Sequence, residues 1–345
     1  MKQKTMENKK RNEISEEISV NKKTPELATR KDVLFAQSIL VSSIILAGAW
    51  IYTAQLKAGP LQKVTTASGQ SQNQVSALEE QVLPSEGITL PVTWGALGKK
   101  LVDAGVIDAN KFEAIYNQRG TVTEEYKSLL LGSSNGKLKM TSANSGYLLN
   151  LLWALGLGNK NAILETGEMV DPAYGGAGKF ASTGGWTIAV GNPMDHYSKH
   201  VFFTLTDAQQ ALVDKISRGI YRPCCGNSVH FPDCNHGMAM LGLLELMASQ
   251  GVSEQNMWKT ALEVNSYWFP NNYLTIATYM KNNKGIDWKN VSPQEMLGAN
   301  YSSSRGYANI ASQVKQPQQL QSSGSGCGVD SGGGATSQPQ GGCGI

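Results

Sequence analysis

Apolar side chains recur at three- and four-residue intervals through much of the chain, the period of amphipathic helices. The pattern predicts short helices over Leu97–Ala104, Lys111–Asn117 and Glu124–Leu131, and a denser one over Ser142–Leu157 with Ser142 as its N-cap. Further helices are expected over Asp207–Ser217, His236–Ser249, Glu254–Tyr267 and Tyr273–Lys281, with Thr206, Asp233 and Ser253 at or near their cap positions. Between Gly167 and Gly191 the period breaks. Glycine and proline there predict a long loop with one short strand at Trp186–Val190. The fold class expected is therefore mainly α, one helical domain carrying a Gly-rich loop.

One apolar run is of a different kind. Val33 to Leu56 carries no charged side chain over 24 residues, and a helix of that length spans about 36 Å, enough to cross a hydrocarbon layer of roughly 30 Å. Trp50 and Tyr52 lie near its outer end, as interfacial rings do. The expected organisation is a cytoplasmic tail over residues 1–32, a single transmembrane helix over 33–56, a Gln/Ser/Thr-rich stalk over 57–87, the helical domain over 88–312 and a disordered Gly/Ser/Gln tail over 313–345. Arg30, Lys31 and the Lys-rich segment before them put the N-terminus in the cytoplasm and the main domain outside a cell membrane. The membrane is the one partner expected. A cleaved signal peptide is disfavoured by the long leading tail and the lack of an A-x-A site following the run, and a lipoprotein by the lack of a cysteine after the run.

Charge argues against nucleic acid. Of 30 basic and 27 acidic residues, the first 56 positions hold nine and six, so the whole excess of +3 lies there and the remainder has 21 of each sign. No basic face of the kind that holds phosphate backbones is evident.

The chemistry is concentrated in one window. All four histidines, His196, His200, His230 and His236, and three of the five cysteines, Cys224, Cys225 and Cys234, fall within 41 residues. Thiolate and imidazole are the donors that zinc and Cu(I) prefer. The spacing Cys225-x4-His230-x3-Cys234-x-His236 offers four donors on a loop stiffened by Pro223 and Pro232, with Cys224 beside them. Cys234 and His236 also begin a helix, whose positive end favours a thiolate. His196 and His200 would share a face if their segment were helical. Met238, Met240 and Met247 lie among Leu241, Leu244 and Ala248 and read as core more readily than as ligands. Two other readings use the same residues. Cysteines outside the membrane can pair as disulfides that staple an envelope domain. A thiol beside a histidine at a helix start could also serve a hydrolase or oxidoreductase, although no C-x-x-C pair is present. Glu168, Asp171 and Lys179 flank a Gly-rich turn that lacks the ending of a phosphate loop and is better read as folding over the Cys/His window. Cys327 and Cys343 stand in the tail.

The segment PCCGNSVHFPDCNHG resembles the signature of small exported bacterial proteins named for their PCYCGC motif, through Pro223, Cys224, His230, Asp233, Cys234, His236 and Gly237. The match covers about twenty residues. The cysteine-rich start is shortened to Cys224-Cys225-Gly226, Met and Leu stand where later cysteines would, and the lipid-anchor cysteine is missing. The resemblance implies a membrane-associated bacterial Cys/His protein with a role in metal binding.

Overall fold

The computed structural model describes residues 77–315. The expected transmembrane helix, the cytoplasmic tail and most of the Gly/Ser/Gln tail with Cys327 and Cys343 lie outside the described residues, and no helix within them is long and apolar enough to cross a membrane.

The described part is mainly helical, as the periodicity predicts. After a helical turn over residues 77–82 (α1), the chain forms strand β1 (Ile88–Gly95), helices α2 (Leu97–Asp103), α3 (Ala109–Gln118) and α4 (Glu124–Leu131), strand β2 (Asn135–Met140), and helices α5 (Ser145–Gly158), α6 (Ala162–Thr166), α7 (Asp207–Gly219), α8 (Asn235–Ser249), α9 (Glu254–Trp268) and α10 (Pro270–Tyr279). Three short helices close it: α11 (Pro293–Leu297), α12 (Ala299–Ser302) and α13 (Ser304–Ala311).

Helices α5 and α8 are the centre. Both are apolar around nearly their whole circumference, and α8 is buried from Asn235 through Ala248, as expected of a helix enclosed on every side. They cross closely because the contact is made by glycines: a Cβ on Gly156 would lie 2.1 Å from the Met238 carbonyl oxygen, and one on Gly242 2.5 Å from that of Leu152. Helices α7 and α9 pack onto α8, each started by the cap the sequence suggests. Thr206 and Gln209 form a reciprocal capping box, and Ser253 accepts from the Asn256 N–H.

Several expectations are corrected. The strands β1 and β2 pair antiparallel across the intervening α2–α4, with Ile88 opposite Met140 and Gly95 opposite Asn135. The register slips between Thr89 and Thr93, where Pro91 has no N–H to give the ladder. Trp186–Val190 forms turns, not a strand; the Trp186 indole instead donates to the Val106 carbonyl at 2.7 Å and packs edge-on to Trp153. Ser142 caps nothing: Asn144 stands before α5, its side chain accepting from the Thr141 N–H. The stretch expected as the end of a stalk is part of the fold, because Leu78, Val82 and Leu83 are buried and the Tyr267 hydroxyl donates to the Pro84 carbonyl. The Gly-rich loop is a packed chain of 3-10 turns over Glu168–Val170, Pro172–Tyr174 and Ala177–Lys179, with Met169, Thr183 and Trp186 fully buried.

Candidate metal centre

The segment from Tyr221 to Cys234 links α7 to α8 and is pinned at both ends. The Tyr221 N–H donates to the Leu297 carbonyl, the Val229 N–H to that of Ile220, and the Ser304 N–H to that of Cys225. Pro223 and Pro232 reduce the freedom the loop loses in taking this path. Its last residue, Cys234, is the N-cap of α8, where Asp233 had been the expectation; its sulfur accepts from the Gly237 N–H at 3.4 Å. A thiolate so placed faces the positive end of a long buried helix.

Arg222 organises the pocket from beneath. Its side chain is fully buried and reaches four acceptors: Nε to the Cys234 sulfur at 3.3 Å, Nη1 to the Asn227 carbonyl at 3.0 Å, and Nη2 to Asp233 Oδ1 at 2.6 Å and the Phe231 carbonyl at 3.4 Å. Gly237 makes room for it, since a Cβ there would stand 2.8 Å from the guanidinium carbon. Burial opposes the charge on Arg222, but the negative groups around it, Cys234 foremost, hold it protonated beyond its ordinary range. Asp233 is raised above the usual carboxyl range by burial, against the pull of Arg222.

Around this cation sit three cysteines, none in a disulfide. The Cys224 and Cys234 sulfurs are 3.8 Å apart. Hydrogen bonding with Cys224 and Cys225 holds Cys234 well below the usual thiol range, helped by Arg222 and His236 and opposed by burial. Cys225 is pushed up to about 11: its contact with Cys224 pulls down, but the bond to Cys234 and burial outweigh it. One pocket thus gathers three cysteine sulfurs around a buried cation. His236 closes the group. It is buried against the Phe269 and Trp268 rings, at 4.4 and 5.8 Å between centroids, and hydrogen-bonds the Cys234 side chain.

The donor atoms converge. One ligand atom each from Cys224, Cys234 and His236 lie within 4.8 Å of one another, and so do those of Cys225, Asp233 and Cys234. Each of these two groups, which share Cys234, lies close enough together to hold a metal ion. A tetrahedral site with Zn–S bonds of about 2.3 Å has sulfur–sulfur edges of about 3.8 Å, the separation seen between Cys224 and Cys234.

The other three histidines are elsewhere in chemical terms, and among the described residues no group that could hold an ion includes them. His230, expected as a ligand, is engaged by charged groups: Nδ1 meets Glu168 Oε2 at 2.6 Å, and Nε2 meets Asp214 Oδ1 at 2.9 Å and Arg218 Nη2 at 2.7 Å. It ties the Gly-rich loop to α7. His196 and His200 do come together, Nδ1 to Nε2 at 3.0 Å with rings stacked, but not on a helix. A 3-10 turn over Pro193–Asp195 precedes His196, and a left-handed Ser198 (φ 53°) bends the chain between the two rings. His196 Nε2 is spent on the Val190 carbonyl, and His200 is lowered below the usual imidazole range by burial and by His196. Met238, Met240 and Met247 are core, as expected. Arg222 escaped sequence reasoning; the signal available was a lone cation inside a short Pro/Cys loop.

No protein-family model, curated protein or solved structure matches the chain.

Proposed function

We propose that the protein handles a soft or borderline metal ion, Cu(I) or Zn(II), at a site made by Cys224, Cys234 and His236, with Cys225 as the fourth donor. Residues 33–56 would anchor it in a cell membrane with this domain outside, and its task would be sensing, holding or delivering the ion without covalent chemistry. The observation that carries the reading is the pair of sulfurs set 3.8 Å apart beside a buried imidazole. Tetrahedral S/N coordination has this spacing, whereas a disulfide needs about 2.05 Å. Arg222 supports it by offsetting negative charge that thiolate ligands bring into a buried pocket. Relative to the sequence expectation, Cys224 takes the place of His230.

Native mass spectrometry of the reduced full chain in detergent, with zinc or with Cu(I) under a reductant, tests this. One ion per chain is expected, lost in Cys224→Ser and Cys234→Ser and kept in His230→Gln and His196→Gln. An ion that survives both cysteine changes, or no ion at all, would overturn the assignment.

A further inference from the structure

Loop and helix meet at this site with unequal access to solvent. Cys234 is fully buried and Cys225 nearly so, while Cys224 is partly exposed on the loop side. Of the two residues whose sulfurs stand 3.8 Å apart, one is therefore partly exposed and the other fully buried. We infer that Cys224 and Cys234 form a thiol–disulfide exchange couple, with Cys224 as the entry thiol and Cys234 as the resolving thiol, whose substrate is a low-molecular-weight disulfide and whose oxidation excludes the metal ion. The inference uses the ligands of the proposed metal site but needs no ion for its first half.

The chemistry balances as follows. The Cys224 thiol gives its proton to solvent as its sulfur attacks one sulfur of the external disulfide; that S–S bond breaks, one external thiolate leaves and takes up a proton, and a mixed disulfide remains on Cys224. The Cys234 thiolate then attacks the Cys224 sulfur, the Sγ–Sγ bond forms, and the second external thiolate leaves and takes up a proton. The two cysteines are oxidised by two electrons and the external disulfide is reduced to two thiols. Arg222 Nε and the Gly237 N–H hold the Cys234 sulfur in place for the second step. Bond formation closes the pair from 3.8 Å to about 2.05 Å. Cys225 takes neither role: its thiol is directed to the Asn227 carbonyl at 3.9 Å, and the sulfur pair 3.8 Å apart is Cys224 with Cys234. With both thiolates committed to each other, two of the proposed donors are lost, so the ion and the disulfide compete for one pair of sulfurs.

The test is oxidation of the reduced, metal-free full chain by glutathione disulfide, followed by peptide mapping. A Cys224–Cys234 linkage is expected, retained in Cys225→Ser; Cys234→Ser should accumulate a glutathione adduct on Cys224, and Cys224→Ser should leave Cys234 unmodified. A linkage through Cys225, or an adduct on Cys234 in preference to Cys224, would overturn the assigned roles. Repeating the reaction with zinc at a hundred times its dissociation constant should slow it about 100-fold, because only the ion-free fraction reacts. An unchanged rate with zinc demonstrably bound would overturn the exclusion. A chain that binds no zinc yet forms the Cys224–Cys234 bond refutes the metal reading while upholding the exchange couple.

Discussion

Replacing Arg222 by methionine keeps most of the volume and removes the one cation from the pocket. Four acceptors lose a donor at once: the Cys234 sulfur, which keeps the Gly237 N–H, Asp233 Oδ1 and the carbonyls of Asn227 and Phe231. Leaving a buried acceptor unpaired costs about 1–3 kcal/mol each, so a simple sum reaches about 4–12 kcal/mol. That sum is too large, because Asp233 also accepts from Asn227 Nδ2, is 14% exposed, and can take a proton instead of remaining a bare charge. Breaking one side of a buried ion pair costs about 3–5 kcal/mol in general, and the side chain is fully buried here, so no discount for solvent applies. The expected loss is therefore about 3–5 kcal/mol, read as a lower urea midpoint at unchanged slope in tryptophan fluorescence of the reduced protein. Adding Asp233→Asn should recover about 1–2 kcal/mol of it, since the carboxylate that most needs the cation is gone. A loss below about 1 kcal/mol, or a double variant as unstable as the two losses added, would refute Arg222 as the organiser of this loop.

Three further outcomes follow from the packing and the pocket. Gly156→Ala gains up to about 1 kcal/mol of helix propensity but sets a methyl 2.1 Å from the Met238 carbonyl oxygen; the overpacking cost of about 1–3 kcal/mol or more should win, lowering Tm. Gly146→Ala on the same helix meets nothing within 4 Å and should not lower it. Glu245 lies fully buried on α8, accepting from Asn159 Nδ2 at 2.7 Å, and burial holds it well above the usual carboxyl range. The folded chain keeps this proton to higher pH than the unfolded chain, so stability falls as pH rises above the ordinary glutamate value, by up to about 1.4 kcal/mol per pH unit. Glu245→Gln keeps an oxygen for Asn159 and should flatten that slope and stabilise at neutral pH, measured by urea unfolding across a pH series. His230→Gln should leave zinc stoichiometry unchanged in native mass spectrometry, because the ring is held by Glu168, Asp214 and Arg218.

The long helices were legible because their burial is periodic and their caps are local chemistry: Thr206 with Gln209, and Ser253, start their helices through contacts three residues away. The hairpin was not, because its strands are separated by three helices, one contains Pro91, and the other is a six-residue stretch with two lysines. Residues 77–83 were misread for the opposite reason: they end a stretch whose Gln, Ser and Thr content is that of a linker, and only the fold shows Leu78, Val82 and Leu83 meeting the core. In the site, clustering in sequence picked the segment whose cysteines and His236 come together, but His230, His196 and His200 lie apart from them. The bridge between Tyr221 and Ser228 and the bond from the Val229 N–H to Ile220 fix the strand direction of the loop and turn His230 toward α7. Spacing along a chain does not report which side of a loop a ring faces.

The site has one rigid wall and one that rests on weaker support, and this asymmetry bears on how an ion would enter. Cys234 and His236 open α8, which is fixed to α5 by the Gly156/Gly242 approach and buried along its length. Cys224 and Cys225 stand on the connecting segment, held by backbone bonds to Leu297 and Ser304 and by the buried Arg222. On the proposed reading, an ion arriving at the partly exposed Cys224 is passed inward to donors that do not move, and the connecting segment alone adjusts. Binding would then stabilise the loop more than the helix pair. Hydrogen exchange should accordingly slow at the amides of residues 221–234 on adding zinc to the reduced chain, and change little across Ala239–Ala248. Equal slowing in both segments would instead place the adjustment in the α5–α8 core and remove the argument for a rigid wall.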